Sequence, residues 1–125
     1  MNYNEITYQI RGAIFEVYNY LGPGLFESVY EAALQKELQS MGLSVKSQVS
    51  LPVRYKENDL ALGFRIDLLV EDSIIIEIKS VETLSNIHKK QLLTYLKLSN
   101  KHIGILVNFN VSILQDRISI VRIIN

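Results

Sequence analysis

The hydrophobic positions of this chain change period several times, and each change marks an element. Ile6, Ile10, Ile14, Val17 and Leu21 recur at helical spacing, so an amphipathic helix is predicted over about residues 4–20. Asn2 followed by Glu5 has the spacing of a capping box at its start. Gly22-Pro23-Gly24 breaks the pattern. Phe26, Val29, Tyr30, Ala33, Leu34 and Leu38 then outline a second helix, with Gly42 where a C′ glycine belongs. The period drops to two at Val45, Ser47, Val49, Leu51, Val53 and Tyr55, a half-buried strand in which Pro52 marks an edge or an irregularity.

Two more alternating strands follow. Phe64, Ile66, Leu68 and Val70 form one apolar set, and Ile74, Ile76 and Ile78 form the next. If the two sets share a buried face, the turn must be of odd length and centred on Asp72. Val70 then pairs with Ile74 and Asp67 with Glu77, in a hairpin. A third helix is expected from about Asn86 to Leu98, and strands over Ile103 to Val107 and Ile118 to Ile123. The order ααβββαββ predicts an α/β domain, with a mixed central sheet flanked by helices.

Composition narrows the class. The 125 residues suit a single domain, and 48% apolar with 21% charged residues is ordinary globular content. No apolar run reaches the roughly 20 residues of a membrane helix, and no signal-peptide pattern opens the chain. A cytoplasmic protein is the expectation. There are no cysteines, which excludes disulfides and thiolate metal sites. Thirteen basic residues balance thirteen acidic ones, so binding to nucleic acid by bulk charge is not expected.

The chemistry concentrates in the hairpin. Directly opposed residues have Cβ atoms about 4.5–5.5 Å apart, so Asp67 and Glu77 repel each other unless a cation sits between them. Lys79 points to the same face. Two carboxylates with a lysine suit a divalent ion such as Mg²⁺, which prefers hard oxygen ligands. The ion would stabilise charge on phosphorus and help generate hydroxide, with Lys79 handling the water. Glu27 lies at the margin of the second helix's apolar face and is a further candidate ligand. Glu31 falls beyond that margin and reads as solvated. On the third helix, Gln91 and Tyr95 share a face with Ile87 and Leu98, and a polar pair on such a stripe needs partners.

Gly24-Leu25-Phe26-Glu27-Ser28-Val29-Tyr30 reads as Gly-x-x-Glu-x-x-Tyr, and with it the chain resembles the GxxExxY proteins of the PD-(D/E)XK nuclease superfamily. Asp67, then Glu77-Ile78-Lys79 as Glu-x-Lys, then Gln91-x-x-x-Tyr95 extend the resemblance from Gly22 to about Asn110. It implies a restriction-endonuclease-like core with Asp67, Glu77, Lys79 and Glu27 as catalytic residues. It also implies an Mg²⁺ or Mn²⁺ cofactor and DNA or RNA as substrate. The Gln-x-x-x-Tyr helix resembles the RecB-like branch. Ile66 departs from the pattern, standing where the signature has proline, and no appended domain is visible to recognise a sequence.

Blander readings stand beside this one. Glu-x-Lys alone fits a solvated strand face, and Arg65, opposite Lys79 in the same register, is unfavourable there. Tyr30 reads as core packing, and His88 as a partly buried structural histidine that shares the wheel with Gln91. His102 has no visible partner. Lys89, Lys90, Lys97 and Lys101 outline a basic rim for phosphates or a solvated face. The alternative function is a non-catalytic module binding nucleic acid or protein, and a third is a homodimer whose site works only when two chains meet.

Overall fold

The computed structural model describes residues 2–125, and its elements follow the predicted order. They are α1 (Tyr3–Leu21), α2 (Glu27–Ser40), β1 (Val45–Tyr55), β2 (Asn58–Val70), β3 (Ile74–Lys79), α3 (Asn86–Ser99), β4 (Ile103–Asn108) and β5 (Ile120–Ile124). Asn2 caps α1 by accepting the Glu5 N–H at 2.9 Å. The return arm of the expected box is altered, because the Asn2 side-chain amide, not its backbone, meets the Glu5 carboxylate at 3.4 Å. Gly42, at φ 85°, ends α2. It donates to the Gln39 carbonyl while Leu43 donates to that of Leu38, a Schellman turn closed by two buried leucines. Among the described residues, no helix is long and apolar enough to cross a membrane.

The sheet runs β1-β2-β3-β4-β5. Its neighbours are antiparallel except β3 and β4, which are parallel and joined through α3, as a parallel pair requires. β1 is an edge strand, and its register slips between Pro52 and Arg54, where a missing N–H does least harm. β3 and β4 are buried almost throughout, the pattern of strands covered on both faces. On one face, Ile10 and Ile14 of α1 and Leu34 and Leu38 of α2 pack with Leu68, Ile76, Ile105 and Val107. On the other, Leu92 and Leu96 of α3 pack with Ile66, Leu69, Ile75 and Leu106.

Three expectations need correction. Phe26 lies outside α2 as its N-cap, so it and Val29 are exposed while Tyr30, Leu34 and Leu38 face the core. On α3 the buried stripe is Leu92 and Leu96, with Ile87 and Leu98 turned to solvent. The third concerns β2: Phe64 and Ile66 pack on the α3 side, not with Leu68 and Val70 beneath α1 and α2. β1 switches faces at the same level, from Val45 on the first side to Val49 and Leu51 on the second. Between them sits Gln48 at φ 52°, a left-handed residue that interrupts strict alternation.

Gly104 of β4 is where α3 rests on the sheet: a Cβ there would lie 2.8 Å from Cδ1 of Leu92. Gly104→Ala is therefore expected to destabilise the fold by about 1–3 kcal/mol through overpacking. Leu92→Ala leaves a cavity that costs about 2–5 kcal/mol. In urea denaturation the double variant should be more stable than the sum of the two effects, since each change relieves the other. Strict additivity would show that the two residues do not press on each other.

Candidate metal centre

Pairing between β2 and β3 covers Val70–Ile74, Leu69–Ile75 and Leu68–Ile76, and then stops. β1 stays with β2 to Asn58, and β4 stays with β3 to Lys79. The β1–β2 ribbon therefore parts from the rest of the sheet at Asp67. Backbone N–H groups left behind need acceptors, and carboxylates supply them. Ile78 donates to Oδ2 of Asp67 at 2.8 Å, and Asp67 donates to Oε2 of Glu77 at 2.8 Å. The two acids thus cross between the strands instead of standing side by side on a regular ladder. The feared clash of Arg65 with Lys79 does not arise. Arg65 pairs with Ser50 and Lys79 with Asn108.

Burial of this pair is electrostatically costly. Burial pushes the Glu77 carboxyl up to about 8, the Asp67 charge adds to it, and the Asp67 N–H and Lys79 oppose it. Asp67 is also raised, first by burial and further by Glu27, against the Ile78 N–H, Lys79 and Gln48. Lys79 is the cation that faces both acids. Among the described residues the ion pairs are Arg11–Asp116 and Lys101–Asp72, so Lys79 acts on them from beyond direct contact.

Two further residues join the site. Glu31, expected to be solvated, is half-buried and accepts a hydrogen bond from Nε2 of Gln48 at 2.6 Å. Burial raises its pKa, Gln48 opposes the rise, and Asp67 adds to it. Glu31 stands one turn beyond Glu27, so the i, i+4 rule could have found it. Gln48 could not be found that way. It reads as one more outward polar residue, and its left-handed backbone leaves no mark in an alternating pattern.

The Gly-x-x-Glu-x-x-Tyr stretch ties the α1–α2 connection to the end of β3. Gly24 adopts φ 95°, open to glycine alone at little strain. Oε2 of Glu27 accepts the Ser80 N–H at 3.0 Å, and the Ser80 hydroxyl donates to the Leu25 carbonyl at 2.8 Å. The Tyr30 hydroxyl donates to the Gly22 carbonyl at 2.6 Å and accepts from Leu25 N–H at 3.2 Å. Its ring stacks on Phe109, with centroids 4.4 Å apart. From β4, the buried Asn108 holds Val81 by both its N–H and its carbonyl, at 3.1 and 2.8 Å. The chain on either side of Lys79 is thereby fixed.

From the α3 side, Tyr95 stacks on Phe64 with centroids 4.1 Å apart. Burial raises its hydroxyl pKa, Glu77 and Asp67 add to this, and Gln91 opposes. Gln91 itself is exposed, one turn earlier on the helix. His88 is structural, its Nδ1 accepting the Ser85 N–H at 3.1 Å to close the start of α3. Lys101 is not part of a rim here. It donates to the Asp72 carbonyl at 2.7 Å, in the hairpin turn at the other end of β3.

The donor set fits a hard divalent ion. Asp67, Glu77 and Glu27 each give one oxygen to a backbone N–H, through Oδ2, Oε2 and Oε2. A carboxylate has about four lone-pair sites, so each keeps an oxygen for a cation. Among the described residues, no three acidic or histidine side chains are closed tightly enough to hold an ion in this arrangement.

Residues 4–122 match the PD-(D/E)XK nuclease superfamily, and the chain belongs to it. Its mixed sheet flanked by helices is accordingly of restriction-endonuclease-like type. The superfamily is one of hydrolytic nucleases that typically use divalent metals. Among solved structures the chain is similar to the crystal structure of SSO0001, at 29% identity and a TM-score of 0.56. That likeness covers 78% of this chain but 49% of the other, so the chain spans about half the length of that relative. No curated protein matches.

The raised pKa of Glu77 has a defined sign in folding. Below its ordinary value near 4.5 the carboxyl is protonated in both states. Between there and about 8 the unfolded chain releases a proton that the folded chain keeps, so stability falls as pH rises. Above about 8 both forms are ionised and the trend levels. In urea denaturation across this range, Glu77→Gln should lack that decline and gain on the wild type as pH rises. Parallel pH profiles for the two proteins would show that Glu77 titrates normally.

Proposed function

We propose that this chain is a divalent-metal-dependent nuclease that hydrolyses phosphodiester bonds of DNA or RNA, using Mg²⁺ or Mn²⁺. The observation behind this reading is the crossed Asp67–Glu77 pair, whose burial, opposed among the described cations by Lys79 alone, leaves the Glu77 carboxyl at about 8. A site so short of positive charge favours a proton or a cation. Asp67 and Glu77, with Glu27 direct or through water, would hold the ion. Once bound, a divalent ion polarises the phosphoryl group and makes a water more acidic. Lys79 would orient the attacking water and, in its uncharged form, accept its proton. Tyr95 and Gln91 line the α3 side and orient the strand's backbone. Superfamily membership supports this assignment, and the Gly24-to-Tyr30 motif and the Gln91/Tyr95 helix favour the GxxExxY group and a RecB-like relationship within it. Residues 1–125 would then be a single nuclease domain.

One observation favours a second reading. The three acids already satisfy backbone donors on Asp67, Ile78 and Ser80, a role a non-catalytic module would also need. That module would use the nuclease fold to bind nucleic acid or protein.

Calorimetric titration with Mn²⁺ separates the two. Under the nuclease reading wild type binds the ion and Asp67→Ala does not. Lys79→Ala should keep the ion while cleavage of mixed DNA and RNA substrates falls about 10²–10⁴-fold, the range for loss of a general acid or base. Folded wild type that takes up no Mn²⁺, even with nucleic acid present, leaves the binding module standing.

A further inference from the structure

A cavity of about 460 Å³ opens between α1 and the turn that enters β5, within the size range of ligand sites. Ile105 and Ile120 lie at its apolar base, and Arg11, Asp116, Arg117 and Arg122 at its polar edge. Three arginines against one aspartate leave a local excess of two positive charges (3 − 1 = 2), in a chain whose formal net charge is zero. None of these residues belongs to β2, β3 or α3, so the cavity is separate from the carboxylate centre.

The three arginines are not equivalent. Arg11 is committed: its Nε and Nη2 donate to the two oxygens of Asp116 at 2.8 and 2.7 Å, and its Cζ lies 4.6 Å from the Phe15 ring centroid. This bidentate pair engages the cavity's one carboxylate. Arg122 has a single long contact, 3.5 Å from Nη2 to Oδ1 of Asn4. Arg117 has no hydrogen-bonded or ionic side-chain partner among the described residues.

Arg117 is also held in the left-handed region, at φ 69°, where a branched or long side chain is uncommon and glycine or asparagine is favoured. Other left-handed residues have local reasons. Lys56 and Glu57 turn one hairpin, Glu71 and Asp72 turn the next, and Asn100 caps α3. Gln48 sits at the carboxylate centre. Arg117 likewise opens a turn, the one that enters β5, where its N–H donates to the Ile120 carbonyl at 2.7 Å. Glycine or asparagine would fill this turn position with less strain, and arginine there sets a guanidinium beside the cavity.

We propose that this cavity is a phosphate-binding site, formed by the Arg117 and Arg122 guanidiniums on a scaffold that the Arg11–Asp116 pair fixes. Planar guanidinium forks match a phosphate's oxygens two at a time, which suits them to a phosphodiester or a free phosphate alike. The site does not depend on the nuclease reading and stands or falls apart from it.

The test titrates the full chain with inorganic phosphate, and separately with a short single-stranded oligonucleotide lacking terminal phosphates. Arg117→Gly is the informative variant, because it removes the guanidinium while relaxing the backbone. Its thermal midpoint should equal or exceed that of wild type, and its affinity should fall about tenfold, the scale of one lost charge-assisted hydrogen bond. Arg122→Gln should weaken binding as well. A loss seen with the oligonucleotide, with a shallower salt dependence, marks the site as a strand contact. A loss confined to inorganic phosphate marks a free-anion site, and either supports the proposal. Wild type that binds neither probe, or equal affinities in wild type and both variants, would overturn it.

Discussion

Where β2 turns away from β3, the N–H groups of Asp67 and Ile78 lose strand partners, and the carboxylates of Glu77 and Asp67 take those places. Much of the molecule depends on this exchange. A buried donor without an acceptor costs about 1–3 kcal/mol, so the acids stabilise the fork in the sheet. Their positions are set by the backbone itself, not by side-chain rotamers alone. The surrounding ties extend the same logic. Glu27 accepts from Ser80, and Asn108 grips Val81, so the strand end bearing Lys79 is held from α2 on one side and β4 on the other.

That arrangement brings four carboxyls together, those of Glu27, Glu31, Asp67 and Glu77, against one nearby lysine. Desolvation is the first cause of each upward shift at Glu31, Asp67 and Glu77, and mutual repulsion comes after it. The backbone donors and Gln48 soften the repulsion without removing it. A fold tolerates such a centre when burial elsewhere is ample, and β3 and β4 supply that burial through side chains covered on both faces. The residual imbalance is a preference for any cation that can enter.

Periodicity made most of the fold legible. The helical stripe of α1 and the isoleucines of β3 each had one workable reading, and Val70 does oppose Ile74. The acidic pair was legible for the same reason, since a turn centred on Asp72 brings Asp67 level with Glu77. What periodicity could not show was the left-handed Gln48, after which Ile66 and Phe64 change sides. A strand assumed to alternate without a break hides such a switch. Glu31 was lost to a related assumption, that a residue past the apolar margin meets water. Here it meets the diverging ribbon instead. Ile87 and Leu98 failed for lack of a register: a helix with several apolar residues offers more than one stripe, and only contact with Gly104 and Leu106 selects Leu92 and Leu96.

The formal charge of zero therefore conceals two opposed regions. Acids crowd the fork between β2 and β3, while arginines crowd the cavity between α1 and β5. At about 8 Å, the screening length at physiological salt, each region is felt mainly by what lies against it, so they do not cancel for a ligand at either place. A polyanion gains nothing from the acidic centre until a cation fills it. Its attraction to this chain must begin where positive charge is in excess, and the sum over the sequence says nothing about where that is. Neutrality therefore speaks only against binding by bulk charge: a strand responds to local potential within a Debye length, not to net charge.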